Sequence, residues 1–235
     1  MTGAGAVWGR GRYETVARHL APLSDVLLDE VEPALGSLRG CRLLDVGSGT
    51  GNLALAAAAR GARVTALDPA SRLLDAAAAR ARAQGVEVET VTAEAEAMPL
   101  PDGAFDAVVS CLGVVFAADP EAAAAEMRRV ARSTGVLGVL AWCPAEPGDP
   151  FAAPIRDAVP PPPPGRPLPT DWGVPENVER LLGRRRAVRL RPGRHEWRLA
   201  DVEEAVRLLD DSPLHVSVTG SLDPAGRERF RSVAR

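Results

Sequence analysis

The sequence predicts an α/β protein: a doubly wound, mainly parallel sheet, with helices ahead of it and an antiparallel element behind it. Three observations carry this. Between Cys41 and Trp142, five short apolar runs alternate with longer helical patterns. Glycines stop the first two intervening helices. After a proline-rich stretch, the chain resumes with alternating polar and apolar residues across a Pro-Gly turn.

In chain order, Tyr13 to Leu35 has helical apolar spacing (Val16, Leu20, Leu23, then Val26, Leu27, Val31) interrupted at Pro22, which predicts two N-terminal helices. The strand runs are CRLLDVG, ARVTALD, VEVETV, FDAVVSC and GVLGVLAW. NLALAAAARG reads as a helix of small side chains ended by Gly61. SRLLDAAAARARAQG reads as one opened by Ser71 and ended by Gly85. DPEAAAAEMRRVARS has Asp119 as N-cap and Pro120 at the first helical position, with Arg128, Arg129 and Arg132 in its last turns, suiting the helix dipole.

Twelve of the 21 prolines fall between Pro144 and Pro175, a stiff polyproline II connector. Beyond it, Ala187 to Arg191 and His195 to Leu199 predict a hairpin about Pro192-Gly193. The seven arginines between Arg184 and Arg198 then fall on a solvated outer face. His215 to Thr219 reads as a further strand, and LDPAGRERFRSVAR as a helix with Asp223 as N-cap and Pro224 at N1. The resulting organisation is a helical segment over 1–40, a core over 41–143, a connector over 144–175 and a substrate-side, sheet-completing element over 176–235.

Composition narrows the chemistry. The 235 residues suit one α/β domain with an appendage, and 46% hydrophobic with 25% charged residues is ordinary for a soluble chain. A net charge of −3 provides no global basic field for nucleic acid. All 28 cations are Arg, which excludes Schiff-base lysines, pyridoxal-phosphate anchoring and a Walker lysine, and fits the coding bias of a high-GC bacterial genome. Cys41, Cys111 and Cys143 are too dispersed for a zinc cluster or disulfide framework, so no metal is expected. The N-terminus lacks a signal-peptide apolar region and no run of about 18 apolar residues spans a bilayer, so a cytoplasmic protein without membrane or nucleic-acid partners is expected.

The informative element is LLDVGSGTG, residues 43 to 51, in which a strand ends at Asp45 and Gly47, Ser48, Gly49 and Gly51 turn the chain into a helix. A dinucleotide fingerprint needs a glycine where this chain has Asn52. Asp45 would repel a pyrophosphate but suits a ligand carrying an ammonium and a sulfonium. S-adenosyl-L-methionine is such a ligand.

On these residues the sequence resembles the class I S-adenosylmethionine-dependent methyltransferases, whose fold is Rossmann-like. The resemblance implies that Asp68, with Pro69 beside it, takes the two ribose hydroxyls, because a carboxylate accepts two hydrogen bonds at once. AEAEAMPLPDGAFDAVVSCLGVVF is similar to the family's third-to-fourth-strand segment, which implies that Glu94 and the Ala95 amide contact the adenine. At Cys111 the family lends a backbone carbonyl to the methionine ammonium. WGRGRY resembles the N-terminal segment of small-molecule members and places Tyr13, with Trp8, over the methionine half. Where the family usually has Pro-Gly-Gly, this chain has Arg132-Ser133-Thr134-Gly135.

The resemblance implies methyl transfer to an oxygen, nitrogen or carbon nucleophile of a small molecule. A protein that binds S-adenosylmethionine without catalysis, as a sensor or structurally, is the alternative, and a nicotinamide oxidoreductase is a second rival. Methyl transfer needs no side-chain base, and His19, His195 and His215 read as packed or partly exposed histidines, so no catalytic residue is assigned. No apolar strand follows the last helix. Either an earlier run closes the sheet or an edge position stays unfilled, which would lower stability or promote self-association.

Overall fold

The computed structural model describes residues 8–9, 12–144, 165, 167–183, 187–201, 203–204 and 207–208. Helix α1 spans Tyr13–Leu35, β1 Arg42–Val46, α2 Asn52–Ala59, β2 Arg63–Asp68, α3 Ser71–Gln84, β3 Val88–Thr92, β4 Phe105–Cys111, α4 Pro120–Val130, β5 Ala131–Leu140 and α5 Pro175–Leu182. Short 3-10 turns lie at Val114–Phe116 and Pro169–Gly173.

The five strands form one sheet in the order β3-β2-β1-β4-β5, every pair parallel. The chain winds outward from β1 to β3, then returns to β4 on the other side of β1. Their carboxyl ends therefore diverge into a crevice between β1 and β4, the position where such sheets bind ligands.

The period of two along each strand separates two cores. Leu43, Val64, Ala66, Ala107 and Val109 face α1, α2 and α3. Leu44, Val46, Leu67 and Val108 face the other way, toward Met127 and Val130 of α4, Trp172 and Leu181. By the same alternation Asp45, Asp68 and Cys111, at the ends of three neighbouring strands, share the α1 face.

Several expectations are corrected. The N-terminal segment is one helix, with Pro22 and Pro33 inside it. An interior proline costs about 3 kcal/mol, but Leu23, Leu27, Leu28 and Val31 continue the buried stripe past Pro22. At about 1.5–3 kcal/mol per buried aliphatic side chain, that stripe outweighs the break. Ser71 is the first helical residue rather than the N-cap; the cap position is Ala70, whose amide donates to Asp68. Asp119 caps α4 by accepting from the Ala122 amide, with Pro120 following.

Helix α4 ends at Val130 and the strand begins at once, so Arg132 belongs to β5, where it pairs with Asp106. The register steps from Phe105↔Ala131 to Ala107↔Val136, so Arg132 to Gly135 form a bulge where the family's glycine turn was expected. Trp142 lies beyond the strand and is exposed.

The expected hairpin is absent: residues 187–199 carry no strand pairing. A two-stranded ribbon without a covering layer is marginal, and Leu190 is left exposed. The segment lies instead along α1, where Arg191 pairs with Glu30 at 3.1 Å, the His195 ring nitrogen meets the His19 carbonyl at 2.8 Å, and Trp197 stacks on His19. All strands among the described residues are parallel, so no antiparallel closing element is seen. The strand expected at His215 to Thr219, the helix after Asp223, and most of the proline-rich connector lie outside the described residues.

No described helix is long and apolar enough to cross a membrane.

Candidate functional site

The glycine turn is held by the sheet beneath it. The Gly47 and Ser48 amides both donate to the Leu67 carbonyl, at 2.8 and 3.0 Å, and the Gly51 amide donates to the Ser48 carbonyl at 2.9 Å. Gly47 is at φ 69 and packs against Gly113: a Cβ there would lie 2.7 Å from the Gly113 Cα, a backbone atom that cannot yield. Ser110, fully buried on β4, donates to the Val46 carbonyl at 2.6 Å and accepts from the Val114 amide at 2.8 Å, which fixes the two strand ends that flank the crevice.

Asp68 holds the turn from β2. One oxygen accepts from the Gly49 amide and the other from the Ala70 amide, each at 2.8 Å. Burial raises its pKa, and these two amides pull the other way. Each carboxylate oxygen keeps a second lone pair. Pro69 follows, partly buried. The loop after β3 brings Glu94 and Ala95 beside this corner, since the Ala93 amide donates to the Asp68 carbonyl at 3.3 Å. Both are partly buried.

Asp45 is the unusual group. It is 1% exposed, and its Oδ2 has no hydrogen-bond partner. Burial pushes its carboxyl up to about 7; the Ser48 hydroxyl and the Ala54 amide pull the other way, and the charge of Asp68 adds to the rise. A buried carboxylate oxygen without a donor is costly, and a cation would relieve it. Ser48 Oγ and Ser24 Oγ are also buried, beside Asp45 and Cys111 respectively, without a hydrogen bond of good geometry.

These three groups, with Tyr13, Cys111 and Leu112, line a cavity of about 20 Å³. Tyr13 accounts for its small size: a Cβ on Gly49 would lie 2.9 Å from the Tyr13 ring, and Trp8 meets that ring edge-on with centroids 5.7 Å apart. Burial, then the charges of Cys111, Asp68 and Asp45, raises the Tyr13 phenol pKa, so it stays protonated. Cys111 likewise stays a thiol, pushed up to about 12 by burial and Asp45. Leu112 follows at φ 62, a strained conformation for a leucine at the crevice edge.

The structure thus brings Tyr13, Asp45, Gly47, Ser48, Gly49 and Cys111 around one crevice, with Asp68, Pro69, Glu94 and Ala95 along its β2–β3 side. His19 and His195 stand on the outer side of α1 with Trp197; His215 lies outside the described residues. Sequence reasoning missed Arg80, whose guanidinium donates to the Thr50 carbonyl at 2.6 Å and to Asn52 at 2.9 Å, holding the turn from α3. It also missed Asn52, which ties the turn to the Ala17 carbonyl of α1 at 2.7 Å. Their side chains carry no motif of their own.

Residues 44–139, the sheet and its crevice, match the family described as "Methyltransferase domain". Across those residues the chain is similar to the S-adenosylmethionine-dependent methyltransferases. Members of this methyltransferase family use S-adenosyl-L-methionine as methyl donor. The chain is 40% identical over 177 residues to the uncharacterised protein Rv1403c of Mycobacterium tuberculosis, covering 75% of this chain and 63% of that one. It is 43% identical over 128 residues to the malonyl-[acyl-carrier protein] O-methyltransferase of Serratia marcescens, covering 54% of this chain and 47% of that enzyme. The chain therefore spans about half to two thirds of these relatives' length. A solved S-adenosylmethionine-dependent methyltransferase from Aquifex aeolicus shares the fold, with a TM-score of 0.51 at 23% identity over 67% of this chain and 78% of that one.

Proposed function

We propose that the chain is an enzyme that transfers a methyl group from S-adenosyl-L-methionine to an oxygen, nitrogen or carbon nucleophile of a small molecule. The observation that carries the reading is Asp45 Oδ2, a buried carboxylate oxygen without a donor beneath a glycine turn. That is the electrostatic complement of a cationic ligand rather than of a pyrophosphate.

The donor set fits this cofactor. Asp45 and the Cys111 carbonyl would meet its ammonium, the free lone pairs of Asp68 its ribose, and Glu94 and the Ala95 amide its adenine, with Pro69 shaping the corner. The glycine turn permits close backbone approach at Gly47, Ser48 and Gly49. The volume fits only after rearrangement, because ligand pockets of this class need about 300 Å³ or more; Tyr13 must swing out and reclose over the bound molecule.

The cofactor supplies an electrophilic methyl on a sulfonium. The chain's own contribution is position and dryness. The Tyr13 and Cys111 protons are retained at neutral pH, so neither side chain serves as a base, and holding nucleophile and methyl in line supplies up to about 7–11 kcal/mol. Incubation with methyl-labelled S-adenosylmethionine and a panel of phenols, quinones and amines tests the reading. Labelled product with formation of S-adenosylhomocysteine is expected; cofactor binding without turnover on any acceptor would favour a non-catalytic binding protein.

A further inference from the structure

Ser24 has no role in the account above. It sits in the middle of α1, on the buried stripe between Leu23 and Leu27, where an apolar residue would be expected. It is 2% exposed, its Oγ meets no nitrogen or oxygen partner, with only the Cys111 sulfur in reach, and it lines the same cavity as Asp45 and Ser48. Its polar neighbour is the Cys111 side chain, a protonated thiol and so a weak hydrogen-bonding group.

A helical serine ordinarily bonds the carbonyl one turn back, but this hydroxyl does not. Leaving it so weakly paired destabilises the unliganded chain. Helix α1 packs on β4 and β5, on the sheet face that carries Cys111, so the hydroxyl lies beside that strand end at the crevice. Asp45 Oδ2, also unpaired, faces the same small space. One carboxylate oxygen and one hydroxyl oxygen, both dry and both acceptors, are the surroundings of a primary ammonium, which carries three donors.

We propose that Ser24 is a ligand-binding residue whose hydroxyl, together with Asp45, accepts from the α-ammonium of the amino-acid end of the cofactor. The inference rests on the S-adenosylmethionine reading above. It adds that α1 is part of the binding site as well as a cover for the sheet, and that it reads whether the ligand carries an amino group. The sequence gives no sign of this, because a serine within an apolar stripe looks like ordinary helix packing.

The test is calorimetric titration of the whole chain and its Ser24→Ala variant with three probes: S-adenosylhomocysteine, its des-amino analogue, and 5′-methylthioadenosine, which lacks the entire amino-acid end. For S-adenosylhomocysteine, a loss of about 10- to 150-fold is expected on substitution, the range for a hydrogen bond to a charged group. Affinity for the other two probes should be unchanged. Thermal unfolding of the unliganded variant should match or exceed the original, since an unsatisfied hydroxyl has been removed. Ser24→Thr, which keeps the hydroxyl, should retain most of the affinity.

An equal loss for all three probes, or a fall in unliganded stability, would make Ser24 a structural residue and overturn the proposal. A loss that persists with the des-amino analogue but not with 5′-methylthioadenosine would move the contact to the carboxylate and overturn the ammonium assignment. Absence of binding by any probe to the unsubstituted chain would overturn the cofactor reading itself, an outcome distinct from the other two.

Discussion

Replacing Asp45 with Asn separates what this residue costs the fold from what it gives a ligand. Its carboxyl is raised from 3.8 to about 7 in the folded chain, chiefly by burial. The raised value means that the folded state holds this proton more tightly than the unfolded state. Below about pH 4 both states are protonated and nothing is lost. As pH rises from about 4 to about 7 the unfolded chain ionises first, so stability falls, and above about 7 the loss is complete. The interval from 3.8 to about 7 corresponds to about 4 kcal/mol. Asparagine does not titrate, so the stability of the variant relative to the original should climb by about that amount between pH 4 and pH 8. The unpaired amide offsets part of the gain by about 1–3 kcal/mol at every pH. At pH 8 the unliganded variant should therefore melt several degrees higher, at about 2–4 °C per kcal/mol for a chain of this size.

Binding moves the opposite way. The variant should lose about 10- to 150-fold in affinity for S-adenosylhomocysteine at pH 8 and gain nothing for NAD. The original chain should bind more weakly as pH falls below about 7, because the ammonium then competes with a proton for Asp45. The assay is thermal unfolding in half-unit pH steps, with and without ligand. Parallel stability profiles for the two proteins would refute the burial argument, and tighter NAD binding by the variant would refute the choice of cofactor.

Other substitutions probe the remaining contacts. Asp68→Asn should weaken S-adenosylhomocysteine binding by about 10-fold or more and lower the melting temperature, because the carboxylate also accepts from Gly49 and Ala70; unchanged affinity by calorimetry would remove the ribose assignment. Gly47→Ala should destabilise by about 1–3 kcal/mol, since its Cβ meets Gly113 backbone at a positive φ, as denaturant unfolding will show; no loss would mean the two strand ends are not in contact. Arg129 donates to the Met98 and Leu100 carbonyls at 2.9 and 2.7 Å, while Glu126 accepts from the Met98 amide at 2.7 Å. Arg129→Ala should accordingly speed amide exchange at Met98 to Gly103 and spare the rest of the sheet; uniform acceleration would make its role global.

What the sequence made legible is local. β4 was readable to the residue, since Phe105, Val108 and Val109 carry a short apolar run that follows a glycine-bearing turn and ends at the crevice. The cap of α4 was readable because Asp119 and Pro120 act on their own helix. The glycine turn and Asp45 were readable because the turn's geometry depends on a few consecutive residues. What was not legible depends on partners distant in sequence. Pro22 looked like a break because the stripe that carries α1 past it is decided by packing on β5. Residues 187–199 alternate like strands, yet no sheet edge or covering layer takes them, and α1 does. Ser24 acquires meaning only once α1 is laid over Cys111.

The most direct test of the account is a calorimetric titration of the chain at pH 8 with S-adenosylhomocysteine and, separately, with NAD, following Trp fluorescence in parallel. Trp8 stands 5.7 Å from the Tyr13 ring and 4.6 Å from Phe116, so displacement of Tyr13 should register optically. Saturable one-to-one binding of S-adenosylhomocysteine with a fluorescence change, and no response to NAD, is the predicted result. Binding of NAD, or no heat and no optical change with S-adenosylhomocysteine, would contradict it.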